Sequence, residues 1–150
     1  MSYDHNRKAG NAGDVIKHVG LIAALNSART NPGKFRVIDL FAGYAFNPII
    51  EGNEWCNGIG RISAKPENVD TDSVRLYLRW YLSRPSLQGS MYPGSSLIAH
   101  DVLDHLGGEV ELTLYDISDK SVENLRLVYD KQRHNIHHRA AKVTDPEIFD

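Results

Sequence analysis

Three places in the chain set an acid at the end of an apolar run, and the chemistry this permits is recognition of a hydroxyl-rich ligand. Asp39 closes FRVID and is followed by a turn of small residues that holds Gly43. Asp116 closes EVELTLYD, an alternating run with Val110, Leu112 and Leu114 on one face. Thr144 and Asp145 follow a third short run over 139–143. If these runs are successive parallel strands, right-handed crossovers bring their carboxyl ends to one edge of a sheet. An acid at that edge accepts hydrogen bonds from ribose hydroxyls, and a glycine beside it lets a ligand approach the backbone. The pattern points to a nucleoside-containing ligand with Asp116 on its ribose.

Other chemistries have less behind them. His134, His137 and His138 lack cysteine partners and a carboxylate at helical spacing, and neighbours such as His137 and His138 would point apart on a strand. No metal site is expected. Cys56 stands between Trp55 and Asn57 without an identifiable base. Gly-x-Ser-x-Gly, a lysine-bearing phosphate loop and GxGxxG are all absent from the sequence.

The elements that must position the acids follow from periodicity. Asp14 opens a helix whose inner face is Val15, Val19 and Ile22, with Leu25 close by, and Asn31-Pro32-Gly33 stops it. Lys17 and His18 fall in its first two turns. Residues 47–90 show no clean strand period. They contain a helix over 73–82 with Trp80 or Tyr81 turned inward, and read as an inserted helical subdomain, since a plain connection of that length is uncommon. MYPGSS (91–96) is expected to be a sharp turn, with Ser95 or Ser96 capping a helix that ends at Gly107 and Gly108. Ser118 caps the next helix, which buries Val122, Leu125, Val128 and Tyr129. Residues 134–138 read as a polar turn before the third strand. Helix, strand, insertion, helix, strand, helix, strand is an α/β order that favours a parallel sheet. The division expected is 1–46 for the arm, first helix and first strand, 47–90 for the insertion, and 91–150 for the rest of the sheet domain.

Composition agrees with a soluble α/β domain: 150 residues, 41% hydrophobic and 24% charged. No run approaches the roughly 18 apolar residues of a membrane span, and the polar start lacks the apolar core of a signal peptide. A single cysteine suits a reducing compartment, so a cytoplasmic location is expected. The net charge of −2 hides two basic segments. Arg7, Lys8, Lys17, Arg29, Lys34 and Arg36 form one, and Lys131, Arg133, Arg139 and Lys142 the other. They permit contact with a phosphate backbone without requiring it.

Five pieces in order resemble one family: SYDHNRKAGNAGDVIKH (2–18), VIDLFAG (37–43), GIGRI (58–62), MYPGSSLIA (91–99) and LYDISDKSVENLR (114–126). Together they are similar to the N-terminal half of the RlmJ-type 23S rRNA adenine-N6 methyltransferases. The resemblance implies a Rossmann-like, S-adenosylmethionine-dependent methyltransferase sheet, of which this chain carries the first three parallel strands, with a small inserted helical subdomain. By motif position it implies that His18, Asp39, Phe41, Gly43, Ser95, Asp116 and Thr144 or Asp145 lie at the cofactor. Phe41 replaces a histidine typical of the family. Tyr3, His5 and Lys17 would lie on the substrate side, a lysine for phosphate and a ring on which an unstacked base can rest.

The family's catalytic acid belongs to an Asp-Pro-Pro-Tyr motif, and no such motif occurs in these residues, where Asp145-Pro146 is followed by Glu147. No catalytic residue is therefore expected within the chain. The family sheet pairs a fourth strand beside the first, so the edge of the first strand is expected to meet a partner chain or a second copy. Two other readings stay open: a module that binds RNA or a nucleoside without turnover, and a structural partner subunit.

Overall fold

The computed structural model describes residues 8–28, 33–84, 87, 90–129, 133–141 and 148. In chain order its elements are α1 (Ala12–Ser27), β1 (Lys34–Asp39), β2 (Phe46–Pro48), α2 (Ile59–Ser63), α3 (Asp72–Leu82), β3 (Met91–Pro93), α4 (Ser95–His105), β4 (Glu109–Asp116), α5 (Asp119–Val128) and β5 (Asn135–His138). The chain forms two compact units. One holds Met1–Ala28 with Phe46–Pro93, the other Arg29–Ala45 with Gly94–Asp150. Helix α1 thus counts with the inserted residues.

The second unit is a mixed α/β body on a parallel sheet of order β1-β4-β5, as the element order requires. Strand β4 is central and pairs from Lys34↔Glu109 to Asp39↔Leu114 on one side, and from Thr113↔Asn135 to Asp116↔His138 on the other. Its alternation is that of a half-buried strand, yet both faces are covered. Leu112, Thr113, Leu114 and Tyr115 are all buried. Tyr115 joins Ala141 and Ile148, against Ile38 and Leu40, while α4 and α5 pack on the sheet through Ile98, Val102, Leu103, Val122 and Leu125. Each fully buried leucine here contributes about 1.5–3 kcal/mol. Strand β1 is an edge of this sheet among the described residues.

The third strand is Asn135–His138, not 139–143. A four-residue strand of sequence NIHH has neither alternation nor β-branched richness, and its ends are exposed. What holds it is specific: His137 stacks on Tyr115 with centroids 4.5 Å apart, and the Arg139 guanidinium lies over the Tyr115 ring, 5.3 Å from its centroid.

The first unit packs α1 against α3. Asn11 caps α1 by accepting the Asp14 amide at 3.0 Å. Val15, His18 and Ile22 face inward on α1, and Tyr77, Leu78 and Tyr81 on α3. Residues 91–93, expected as a turn, form strand β3 against β2, in register from Phe46↔Pro93 to Pro48↔Met91. A three-residue ladder bounded by prolines carries no strand signature in sequence. Gly58 follows from close backbone approach: a Cβ there would run into the carbonyl oxygen of Gly10, which accepts the Ile59 amide at 2.9 Å. Among the described residues no helix is long and apolar enough to cross a membrane.

Candidate functional site

Both acid-terminated strands of the sheet unit end in the same device. Asp39 Oδ1 accepts the amide of Phe41 at 3.0 Å, and Asp116 Oδ1 accepts the amide of Ser118 at 2.8 Å. Each is a side-chain turn in which an aspartate bonds the backbone two residues on. The second oxygens reach across. Asp39 Oδ2 accepts the hydroxyl of Ser95 at 2.5 Å, at the start of α4. Asp116 Oδ2 accepts the amide of Gly43 at 2.9 Å, in the loop after β1. The carboxylates therefore tie β1 to α4 and β4 to the β1 loop.

The backbone around them is fixed by further bonds. The Ala42 amide donates to the Tyr115 carbonyl at 3.0 Å, and the Ala45 amide to Asn124 Oδ1 at 2.9 Å. Gly94 donates to the Ala45 carbonyl at 2.8 Å, and any Cβ on it would collide with the carbonyl oxygen of Tyr44. This accounts physically for the glycine of MYPGSS. Gly94, not Ser95 or Ser96, is the N-cap of α4. Ser95 is spent on Asp39, and Ser96, fully buried, accepts the hydroxyl of Tyr129 at 3.2 Å. Burial pushes the Tyr129 phenol up to about 12.

Three features leave the edge open to a ligand. Gly43 has φ +60 and nothing within 4 Å of where a Cβ would stand. Phe41 is 83% exposed and Ile117 73% exposed, two apolar side chains in the turns just after the acids. Each carboxylate oxygen bears one of the hydrogen bonds given above, and a carboxylate oxygen has a second lone pair to offer. The arrangement presents two anionic acceptors, backbone open to close approach, and two apolar surfaces.

Of the residues expected at the site, Asp39, Phe41, Gly43, Ser95 and Asp116 are brought together by the sheet unit. Tyr3, His5, Thr144 and Asp145 lie outside the described residues. Strand β5 ends at His138, so the residue level with Asp116 on the third strand is His138. Its Nε2 lies 3.0 Å from the Ile117 carbonyl oxygen and 3.3 Å from Asp119. Lys17 and His18 belong to the first unit. Lys17 is exposed, 3.5 Å from Asp14. His18, at a position where a surface or cap role is the usual one, is buried, with Nδ1 2.9 Å from the hydroxyl of Tyr92. Ile117 was not expected. Its signal is an apolar residue set between a strand-ending acid and a helix cap, where a polar turn residue is usual.

A cavity of about 580 Å³ lies at the amino ends of the same strands, lined by Lys34, His100, Asp104, Glu111 and His134 among others. It is remote in the sheet from the acids. In it Lys34 meets Glu111 at 3.1 Å, and buried His134 accepts the amide of Leu112 on Nδ1 at 3.2 Å. The three histidines of 134–138 serve separate contacts, and among the described residues no cluster of three or more metal-ligating side chains occurs.

No family model and no curated protein matches the chain. Among solved structures it is similar to protein LPL1258 from Legionella pneumophila str. Philadelphia 1, a DUF519 family model, with TM-score 0.71 and 23% identity over 88% of this chain and 49% of that one. The likeness shows a shared fold, and this chain spans about half the length of that structure.

Proposed function

We propose that this chain is the cofactor-binding half of a Rossmann-like, S-adenosylmethionine-dependent methyltransferase that modifies the N6 amine of an adenine in 23S rRNA. The observation that carries the reading is the paired turn at the carboxyl edge, where Asp116 bonds the amide of open Gly43 and the turns after Asp39 and Asp116 carry the exposed Phe41 and Ile117. The side chains suit a nucleoside. Asp116 accepts ribose hydroxyls with the lone pairs its backbone bonds leave over, Gly43 lets the ligand reach the backbone, and Phe41 and Ile117 cover the faces of a flat ring. The motif order in the sequence supports the adenine-N6 assignment, and the basic arm supports an RNA substrate.

When bound, S-adenosylmethionine supplies an electrophilic methyl group. The chain's own part is to hold it: Asp116 and Asp39 fix the sugar, and the turn residues exclude water from the ring. The acceptor for the adenine amine, and the strands that would pair beside β1, are assigned to a longer product or to a partner chain.

Calorimetric titration with S-adenosylmethionine tests the reading. Phe41→Ala and Ile117→Ala are the informative variants, because both side chains are exposed and their loss leaves folding intact. Stacking of an aromatic ring on an adenine contributes about 1–3 kcal/mol, so Phe41→Ala should weaken binding roughly tenfold, and Ile117→Ala, which removes apolar cover only, should weaken it less. Saturable binding by the native chain that neither variant weakens would remove the edge from consideration.

A further inference from the structure

Buried His134 stands at the step into β5, and the site above makes no use of it. Its Nδ1 accepts the amide of Leu112 at 3.2 Å, one residue before the ladder of β4 and β5 begins at Thr113↔Asn135. A side chain thus does the work of a strand carbonyl and carries the pairing one step toward the amino end. The ring meets two others edge-on, His100 of α4 with centroids 5.3 Å apart and Tyr129, just after α5, with 5.4 Å. Two cavities border it: the one of about 580 Å³ described above, and one of about 470 Å³.

A backbone amide can only donate, so this bond fixes the state of the ring. Nδ1 holds a lone pair, the proton sits on Nε2, and the imidazole is neutral. A second proton has one place to go, Nδ1, where it would stand against the Leu112 N–H. The folded arrangement takes up that proton only by giving up the bond. Nothing is asked of Nε2, which keeps its proton in both states.

The charges on the packed elements do not remove this conflict. The acids are Asp101 and Asp104 of α4 and Glu109 and Glu111 of β4, and they favour a charged ring without offering its proton another position. The cations are Lys34 of β1, Arg126 of α5 and Arg133, and they oppose a charged ring. His100, His137 and Tyr129 are the other titratable neighbours.

We infer that His134 is an acid-sensitive latch: its neutral ring fastens β5 to β4, and its protonation releases the strand. What the latch holds is a strand of four residues that brings His137 onto the Tyr115 ring and His138 to the Ile117 carbonyl oxygen. Release therefore loosens the turn after β4. Loss of S-adenosylmethionine affinity in acid is the consequence at the site, and it rests on the reading under Proposed function; the latch does not.

The sign follows from the proton count. Above about pH 6.5, the ordinary histidine value, the latched and released forms bind equal numbers of protons, and below it the released form binds one more. Hydrogen exchange of the Leu112 and β5 amides in the whole chain, corrected for the intrinsic rate, reads the latch. Protection should be level above about pH 7 and fall by up to about tenfold per pH unit below about 6.5. His134→Asn sets a carbonyl oxygen near the place of Nδ1 and does not titrate, so it should keep the bond and lose the acid response. A response that persists in His134→Asn belongs to another group and overturns the inference. So does protection in the native chain that stays level down to about pH 5. The native chain also tests the latch without a variant. Spectra with histidine labelled by nitrogen-15 should show His134 at neutral pH with Nδ1 bare and Nε2 protonated, and a proton on Nδ1 refutes the latch. S-adenosylmethionine affinity that holds while protection falls keeps the latch and refutes its link to the site.

Discussion

Asp116→Ala removes a side chain that bonds two backbone amides from two different segments. Gly43 donates to it at 2.9 Å and Ser118 at 2.8 Å. A hydrogen bond to a charged group contributes about 1.5–3 kcal/mol, and the low end applies because the carboxylate is only half-buried and water can replace part of what is lost. The pair then amounts to about 2–3 kcal/mol, a large share of the roughly 5–15 kcal/mol that holds a domain together. With a urea dependence of about 2 kcal/mol per molar, the midpoint should fall by about 1 M. Asp116→Asn should fall by about half as much, since the amide keeps one acceptor and sets an N–H against the other donor. Asp119→Ala is the control. Its side chain is 92% exposed and it faces His138 at 3.3 Å, so its effect should stay within about 0.5 kcal/mol. Urea unfolding followed by circular dichroism measures all three. A midpoint for Asp116→Ala equal to that of the native chain would refute the claim that this carboxylate ties β4 to the β1 loop.

Gly94→Ala should destabilise by about 1–3 kcal/mol or more, because the clash is with the backbone carbonyl of Tyr44 and no side chain can move aside; thermal melts measure it. Phe41→Ala and Ile117→Ala should leave the unfolding free energy within about 0.5 kcal/mol of native while reducing S-adenosylmethionine affinity. Alkali should unfold the protein in a defined window. The Tyr129 phenol is raised to about 12 by burial, against about 10 in the unfolded chain. Between those values the folded state binds more protons, so stability is complete below pH 10 and falls as pH rises toward 12, by about 2–3 kcal/mol from this group. Tyr77, Tyr81 and Tyr92 are raised for the same reason and add to the loss. Tyrosinate absorbance should therefore rise cooperatively with unfolding, and Tyr129→Phe should flatten the dependence.

The parts of the fold legible in the sequence were those whose burial leaves a period. Strand β4 falls on Glu109–Asp116 as its alternation requires, and α4, α5 and α3 have their apolar faces where spacing puts them. Strands β3 and β5 were hidden because each is held by a few particular partners: the ladder with β2 for one, the His137–Tyr115 stack for the other. The acids of the site were legible because a strand that ends in an aspartate before a small-residue turn is a local pattern. Their cross-links to Ser95 and Gly43 join residues 56 and 73 positions apart, which no local pattern reports. The burial of His18 was likewise set by Tyr77 and Tyr92, far along the chain.

The most direct test of the account is an amide proton–nitrogen map of the chain titrated with S-adenosylmethionine. The account predicts saturable shifts at Phe41, Gly43, Ile117 and Ser118, the amides of the two turns. A folded chain whose spectrum S-adenosylmethionine leaves unchanged, or shifts only at the amino ends of the strands, would contradict it.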